Sequence, residues 1–246
     1  MKSMKTCFNI RYELDPAAVL DHIAVRTATV APGYICVADG NVLQKVHRDP
    51  EYRKVVDGAM FSICDSSWAA MIISRLYGTE VPQYCGSQIF MDIVSMRRYR
   101  QCFLGTSQET LDALKERLSA IDPAVSEMPF KELPFCAVED FDYEAIGGYV
   151  NERQPDIIWV ALGAPKQEMF MNRLLPHLEK GVMVGVGAVF NFYSGAGEKR
   201  APSWMVRSHL EWLYRIFQSP RKQLARCWRI ATAYPSIIRE EKKKSR

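Results

Sequence analysis

The sequence lacks long apolar runs. No stretch of its 246 residues approaches the roughly 18 apolar residues that a transmembrane helix needs. The first ten residues contain no apolar core of signal-peptide length. With 48% hydrophobic and 24% charged residues, the composition is that of a soluble globular protein. We therefore expect a cytoplasmic location or a place on the inner face of a membrane.

Paired cysteines and clustered histidines are also lacking. The seven cysteines are scattered and include no CxxC pair. Cys102, in Q-C-F-L-G, is typical of a small buried hydrophobic residue in a reducing compartment. A zinc site needs clustered ligands, and the four histidines do not cluster with the cysteines. The sequence therefore predicts no metal site.

Charge is unevenly distributed along the chain. Residues 195–246 hold 13 of the 32 Lys and Arg residues but 4 of the 28 Asp and Glu residues, a formal net charge of +9 against −5 for residues 1–194. This basic segment also holds three of the five tryptophans. The asymmetry indicates an anionic surface or substrate. Trp and Arg both suit membrane interfaces, so a membrane is favoured over nucleic acid, for which no recognised motif is present.

Short apolar runs alternate with helical patterns, which predicts an α/β architecture. The nearly continuous hydrophobicity of the runs is typical of a parallel sheet buried on both faces. After one of these strands, Thr106 and Glu109 have the spacing of a capping box for a helix through Leu118. Residues 122–135 contain three prolines and predict an irregular connection. The predicted strands are residues 34–38, 60–64, 101–104, 157–162 and 182–186.

Pro220 divides the basic segment into two predicted helices. The first has one apolar stripe, formed by Val206, Leu210, Leu213 and Phe217. The second has a basic face with Lys222, Arg226 and Arg229, and an opposite face with Leu224, Cys227, Trp228 and Ala231. Such a basic amphipathic helix fits a membrane surface, and the alternative is an ordinary surface helix with a solvated charged face.

The strand at residues 157–162 leads into a candidate anion site. The segment I-I-W-V-A-L-G-A-P-K-Q-E runs through Gly163 into Lys166, Gln167 and Glu168 at a helix start. Backbone N–H groups and the helix dipole favour an anion such as a diphosphate there. The alternative is an ordinary strand-to-helix connection with proline in the first turn.

A second glycine-rich strand end lies at V-M-V-G-V-G-A-V-F-N-F-Y-S-G, residues 182–195. Gly185 and Gly187 let the backbone approach a ligand closely. Phe190 occupies the third glycine position of the dinucleotide fingerprint, which disfavours an NAD-dependent enzyme.

Two aspartates directly follow apolar strands. Asp39 lies in V-A-D-G-N and Asp65 in C-D-S-S-W, so both are expected at the carboxyl ends of neighbouring strands. A carboxylate there could act as general base on a substrate hydroxyl. Helix capping is the alternative for either residue.

Seven motifs follow one another along the chain: D-P-E-Y-R, C-D-S-S-W, F-L-G, G-A-P-K-Q-E, G-V-G-A-V-F-N-F-Y-S-G, R-A-P-S-W and E-W-L-Y-R-I-F-Q-S-P-R. In this order they resemble the WecG/TagA/CpsF glycosyltransferases over roughly residues 34–230. The resemblance implies a Rossmann-like core, residues 1–194, and a basic membrane-associating appendage, residues 195–246. It implies inverting transfer of an N-acetylmannosamine-type sugar, or a related hexose or uronic acid, from a UDP-sugar to a polyprenol-diphosphate-linked saccharide in cell-surface polysaccharide assembly. It also implies no cofactor or metal, a peripheral location on the inner face of the bacterial membrane, and a family with oligomeric members.

Residue by residue, the resemblance makes Asp65 the candidate catalytic base. The implied nucleotide-sugar ligands are Gly163, Lys166, Gln167, Glu168, Gly187 and Asn191. The appendage supplies the candidate ligands of the acceptor and the diphosphates, because a guanidinium can pair bidentately with phosphate. These ligands are Arg200, Arg215, Arg221 and Arg226, of which Arg215 and Arg221 match the family's arginines.

Five positions depart from the family pattern. Val37 and Asp39 replace Thr and Asn, Ser66 replaces Gly, Gln83 replaces Arg, and Asn191 replaces Asp. These changes leave the donor sugar open and make Asp39 a second candidate base. The alternatives are a membrane-binding scaffold without catalysis, which Val37 and Gln83 favour, and a nucleotide-dependent oxidoreductase.

Overall fold

An eight-stranded sheet forms the centre of the fold, and its strands lie in the order β1-β2-β4-β3-β8-β7-β5-β6. The computed structural model describes residues 4–195, 205, 211–218 and 220–244, with side chains at all of these except 211, 212, 215, 218, 221 and 222. The hairpin of β1 and β2 is antiparallel, and the other described strand pairs are parallel. The strands are β1 Met4–Cys7, β2 Ile10–Glu13, β3 Gly33–Ala38, β4 Phe61–Cys64, β5 Gln101–Gly105, β6 Phe130–Lys131, β7 Ile157–Ala161 and β8 Val182–Gly185.

The predicted α/β fold with a mainly parallel sheet is confirmed. All five predicted strands form, with ends within one residue of the prediction. Their alternate residues supply two hydrophobic layers: Cys36 packs in one and Ile35 in the other. Helices cover both layers, which explains why the strands are apolar on both faces. The described helices are α1 Pro16–Ala28, α2 Gly40–Arg48, α3 Pro50–Asp57, α4 Ser67–Tyr77, α5 Gly86–Ser95, α6 Gln108–Ser119, α7 Tyr143–Arg153, α8 Lys166–Leu174, α9 Val189–Ser194, α10 Glu211–Gln218 and α11 Pro220–Lys244.

The predicted capping box at Thr106 is wrong. Ser107 caps α6 and accepts a hydrogen bond from the Thr110 N–H at 3.4 Å. Thr106 instead has a φ of 54°, a left-handed turn that carries the chain one residue further before the helix begins. Glu109 is then the second helical residue rather than the third, so it cannot complete the box.

Residues 122–135 contain more regular structure than predicted. A 3-10 helix spans Pro123–Glu127, and the two-residue strand β6 pairs with β5 at the edge of the sheet. The three prolines lie outside β6, so they do not interrupt its hydrogen bonds.

The C-terminal helix α11 lies against the body of the fold. Ala233 and Ile237 belong to one of the two core layers, and Ile230 packs over Gly40 at the start of α2. The buried Glu241 accepts hydrogen bonds from the Phe8 N–H at 2.8 Å and from the Tyr77 hydroxyl at 2.6 Å. This helix is therefore tied to both the N-terminal hairpin and α4. The predicted domain division at residue 194 stays a prediction.

The predicted apolar face of α11 points to solvent. Leu224 is 55% exposed and Trp228 is 72% exposed, while Arg226 on the predicted basic face pairs with Asp39 at the edge of the sheet. Leu213 is half-buried and Phe217 is exposed, and Val206 and Leu210 lie outside the described residues. None of the helices in the described ranges combines the length and the apolar character needed to cross a bilayer.

Candidate active site

The carboxyl ends of four neighbouring strands lie side by side at one edge of the sheet. In the order β4, β3, β8 and β7, they lead into Asp65, Asp39, Gly187 and Gly163. The helix after β3 packs on one face of the sheet, through Val42, and the helix after the neighbouring β8 packs on the other, through Val189. Open α/β sheets bind ligands outside such a switch point. This edge is therefore the candidate active site.

Gln167 joins the ends of β7 and β8. Its amide oxygen accepts from the Gly163 N–H at 3.1 Å, and its amide nitrogen donates to the Gly185 carbonyl at 3.0 Å. Gly163 and Gly187 have φ values of 76° and 57°, in the left-handed region that glycine tolerates. A Cβ on Gly187 would lie 3.8 Å from the Gly163 Cα, so the two loops are in contact. Because Gln167 already occupies the Gly163 N–H, that amide is not presented to a diphosphate in this arrangement.

Glu168 is fully buried behind Gln167. Its carboxylate accepts from the Gln167 amide nitrogen at 2.9 Å and from the Tyr52 hydroxyl at 3.0 Å. The pKa of the Glu168 carboxyl is raised to about 7: burial raises it most, the nearby Asp39 carboxylate raises it by a smaller amount, and the hydrogen bonds that the carboxylate accepts oppose the rise. A side chain with no exposed surface cannot contact a nucleotide directly, so Glu168 is not placed as a ligand.

Lys166 and Asn191 lie away from the hydrogen bonds that Gln167 makes. The Lys166 ammonium donates to the Cys136 carbonyl and lies 4.8 Å from the centre of the Phe141 ring. Asn191 lies half-buried on the short helix α9, four residues after Gly187. The binding roles of both residues stay predictions.

Asp65 lies between the ends of β3 and β4 and the start of α5. Its N–H donates to the Ala38 carbonyl at 3.2 Å, and its carboxylate accepts from the Gly86 N–H at 3.1 Å. The Gln83 amide donates to the Asp65 carbonyl at 2.6 Å. Ser66 rather than Asp65 caps the helix that follows. The half-buried carboxylate is therefore held at the sheet edge by a backbone amide of another element.

The two carboxylate oxygens of Asp39 bond to different elements of the fold. One accepts from the backbone N–H groups of Asn41 and Val42, at 2.7 and 3.0 Å, and so caps α2. The other pairs with the guanidinium of Arg226 on α11. Helix capping, the alternative to a catalytic role, therefore describes what Asp39 does in the structure.

The structure describes the side chain of one of the four predicted phosphate-binding arginines, Arg226. It contacts Asp39 at the sheet edge. Arg215 and Arg221 lie on α10 and α11, but their side chains are outside the described set, and Arg200 is outside the described residues. The arrangement of arginines around a diphosphate stays a prediction.

A surface cavity of about 240 Å³ opens at the start of α4, and Gln83 in its wall donates to the Asp65 carbonyl. Its wall includes Trp68 and Met71, each more than half exposed. The lining residues are Ser67, Trp68, Ala70, Met71, Val81 and Gln83.

Sequence reasoning missed three residues near the sheet edge. Tyr52 bonds Glu168, Asn41 donates to the Ala164 carbonyl at 3.1 Å, and the Tyr234 hydroxyl lies 3.3 Å from the Ser66 hydroxyl. Tyr52 belongs to D-P-E-Y-R, so the motif could have drawn attention to it. Tyr234 has no such signal, because its contact depends on how α11 packs.

The fold and the site define a Rossmann-like α/β protein with carboxylate and glycine loops gathered at the switch point of its sheet. The sequence profile described as "Glycosyl transferase WecG/TagA/CpsF family" matches residues 6–246. The chain belongs to this family and is a glycosyltransferase. The resemblance drawn from the motifs is thereby confirmed.

Several relatives share the name N-acetylglucosaminyldiphosphoundecaprenol N-acetyl-beta-D-mannosaminyltransferase. The Bacillus spizizenii protein is 27% identical over 209 residues, which cover 83% of this chain and 77% of the relative. The Bacillus subtilis protein is 27% identical over 215 residues, which cover 80% and 75%. A Staphylococcus aureus protein is 23% identical over 185 residues, which cover 74% and 70%.

Proposed function

We propose that the protein transfers an N-acetylmannosamine-type sugar from a UDP-sugar to an N-acetylglucosamine unit on a polyprenol diphosphate. The names of the relatives support the acceptor class and the transferred sugar. The UDP donor rests on the family resemblance. The single observation that carries the proposal is the position of Asp65, which directly follows β4 at the carboxyl end of the sheet and whose carbonyl accepts from Gln83 in the wall of the cavity.

In the proposed reaction Asp65 acts as general base. Its carboxylate takes the proton of an acceptor hydroxyl as that oxygen attacks the anomeric carbon of the donor. The new bond from carbon to oxygen forms on the face opposite the bond to UDP, which breaks, so the configuration inverts. UDP leaves with the electron pair, and the appendage arginines stabilise its charge without a metal ion.

The acceptor is a membrane lipid, so we propose that the protein works as a peripheral protein on the inner face of the membrane. The exposed Leu224 and Trp228 on α11, beside the exposed Arg229, support a contact with an anionic surface.

Asp65→Asn tests the reaction. An asparagine oxygen can still accept from the Gly86 N–H, so the fold should persist. We expect turnover of UDP-N-acetylmannosamine with a short-chain lipid-diphosphate acceptor to fall by about two to four orders of magnitude. UDP affinity should stay within about threefold, and EDTA should leave wild-type turnover unchanged.

Asp49→Asn is the matched control, because Asp49 caps α3 and its replacement also exchanges a carboxylate for an amide. It should leave turnover unchanged. Full turnover in Asp65→Asn would remove Asp65 as the base. Failure of the wild type to transfer from a panel of UDP-sugars would overturn the proposed function.

A further inference from the structure

The Gln167 amide is held in one orientation. Its nitrogen faces two acceptors, the Glu168 carboxylate at 2.9 Å and the Gly185 carbonyl at 3.0 Å, and its oxygen faces one donor, the Gly163 N–H at 3.1 Å. Rotating the amide by half a turn would place its oxygen against both acceptors and its nitrogen against the donor. All three hydrogen bonds would be lost, so this orientation is strongly preferred.

Glu168 and Tyr52 lie below the two glycine loops and complete the hydrogen-bond network of Gln167. Both side chains are buried, and the Tyr52 hydroxyl donates to the Glu168 oxygen that Gln167 does not use. Tyr52 lies on α3 and Glu168 on α8, so their hydrogen bond also joins these two packed helices. A buried carboxylate with one oxygen directed at each partner can define where the Gln167 side chain lies.

We propose that Tyr52 and Glu168 are positioning residues for nucleotide binding: they hold the Gln167 amide, and through it the glycine loops after β7 and β8, in the geometry that receives the diphosphate of the donor. The proposal rests on the proposed function. It gives Glu168 a role that a fully buried side chain can fill, since such a side chain cannot contact the donor.

The groups that face the Glu168 carboxyl are weakly acidic or anionic. They are the hydroxyls of Tyr52 and Tyr34, the Cys36 thiol and the Asp39 carboxylate. A proton on Glu168 therefore removes a negative charge that lies behind the loops. Because a diphosphate is itself anionic, it binds better to the protonated form. Donor binding should therefore weaken as the pH rises through the pKa of Glu168, about 7.

Three variants separate this role from a general structural one. Glu168→Leu removes the acceptor of Gln167, and we expect the KM of the UDP-sugar and the Kd of UDP to rise about tenfold with kcat changed less than about threefold. Glu168→Gln restores an oxygen for Gln167 and an amide for Tyr52. We expect it to recover the wild-type affinity at pH 6 and to lack the decline between pH 6 and 8. Tyr52→Phe should raise the same constants by a smaller factor.

Tyr34→Phe is the matched control. The Tyr34 hydroxyl also lies between α3 and α8, where it donates to the Val55 carbonyl and accepts from Asn172, but it does not bond Glu168. It should lower the melting temperature as Tyr52→Phe does, without changing the Kd of UDP. The proposal is overturned if Tyr34→Phe and Tyr52→Phe weaken UDP binding equally, or if Glu168→Gln keeps the wild-type pH dependence.

The two proposals fail in different ways. If wild-type protein binds no UDP in calorimetry, the proposed function fails and the positioning role fails with it. If the wild type binds UDP and Glu168→Leu or Tyr52→Phe binds it equally well, only the positioning role is lost. Should Glu168→Leu not fold, Glu168→Gln and Tyr52→Phe still decide the question.

Discussion

Arg226 and Asp39 form an ion pair that links the C-terminal helix to the end of β3. The two residues are separated by 187 positions in the sequence, and both side chains are about three-quarters buried. One turn further along α11, Ile230 packs over Gly40, the residue after Asp39. After one more turn the Tyr234 hydroxyl lies beside Ser66, the residue after Asp65. The same face of α11 therefore contacts the loops that carry both candidate bases.

Asp39→Asn tests the ion pair with Arg226 independently of the helix cap. Asparagine caps helices about as well as aspartate, so the cap of α2 should survive while the ion pair with Arg226 is lost. We expect the free energy of unfolding to fall by about 1 kcal/mol, as is usual for a partly exposed pair. Amide exchange in the first half of α11 should become faster. Turnover should change less than about threefold, because Asp39 is already committed to two partners.

Arg229→Met is the control for that experiment, since Arg229 is exposed on the same helix. It should leave both stability and exchange near the wild-type values. A drop in kcat of about two orders of magnitude or more in Asp39→Asn, with UDP still bound, would instead identify Asp39 as the base.

The sequence predicted the strands of the sheet and the placement of the two candidate aspartates at the ends of neighbouring strands, because both depend on local patterns. Apolar runs such as residues 157–162 can be read directly, and Asp39 and Asp65 follow such runs. The sequence could not show that Glu168 is buried or that Arg226 pairs with Asp39, because those facts depend on how α8 and α11 pack. The two-residue strand β6 was missed because it is defined by pairing with β5 and has almost no pattern of its own.

Glu168 should make stability depend on pH. Its pKa is about 7 in the folded protein and close to the ordinary glutamate value of 4.5 in the unfolded chain. Between these values the folded state binds more protons than the unfolded state, so stability falls as the pH rises. The contribution is fully present below about pH 4.5, and roughly 3 kcal/mol of it is lost by pH 7.

The measurement is the difference in unfolding free energy between the wild type and Glu168→Gln from pH 4.5 to 8, in which groups common to both proteins cancel. The unfolding free energy of the wild type should fall relative to that of Glu168→Gln as the pH rises to about 7, and the difference should then level off. Glu109→Gln, at an exposed position on α6, should give a flat difference. A flat difference for Glu168→Gln as well would contradict the raised pKa.

Gly185→Ala should disturb the Gln167 side chain from the opposite side. An added Cβ would lie 2.9 Å from the Met171 Cε and 3.0 Å from the Gln167 Cδ, so both side chains must shift. We expect a loss of about 1–3 kcal/mol in stability, as for other overpacked sites, together with weaker UDP binding. Calorimetry with UDP and chemical denaturation measure the two effects separately.

Gly148→Ala is the matching control on the exposed side of α7, where an added Cβ meets no atom within 4 Å. Alanine is the better helix former, so stability should rise by about 0.5–1 kcal/mol and UDP binding should not change. If Gly185→Ala also left UDP binding unchanged, the position of Gln167 would not matter for the nucleotide.

The exposed apolar side chains of α11 lead to a prediction about membrane binding. Leu224 and Trp228 lie one helical turn apart and are 55% and 72% exposed, with the basic Arg229 adjacent. Replacing both by alanine removes apolar surface that a bilayer interface would bury, and it leaves the charge unchanged. We expect binding to vesicles with anionic lipid to weaken at least about tenfold, as measured by co-sedimentation.

Val25→Ala, at another exposed apolar position, should bind as the wild type does. Unchanged vesicle binding in the double variant, or stronger binding to duplex DNA than to anionic vesicles in the wild type, would contradict a membrane role for this face. Turnover of a water-soluble short-chain acceptor should persist in the double variant, because both side chains are directed largely to solvent.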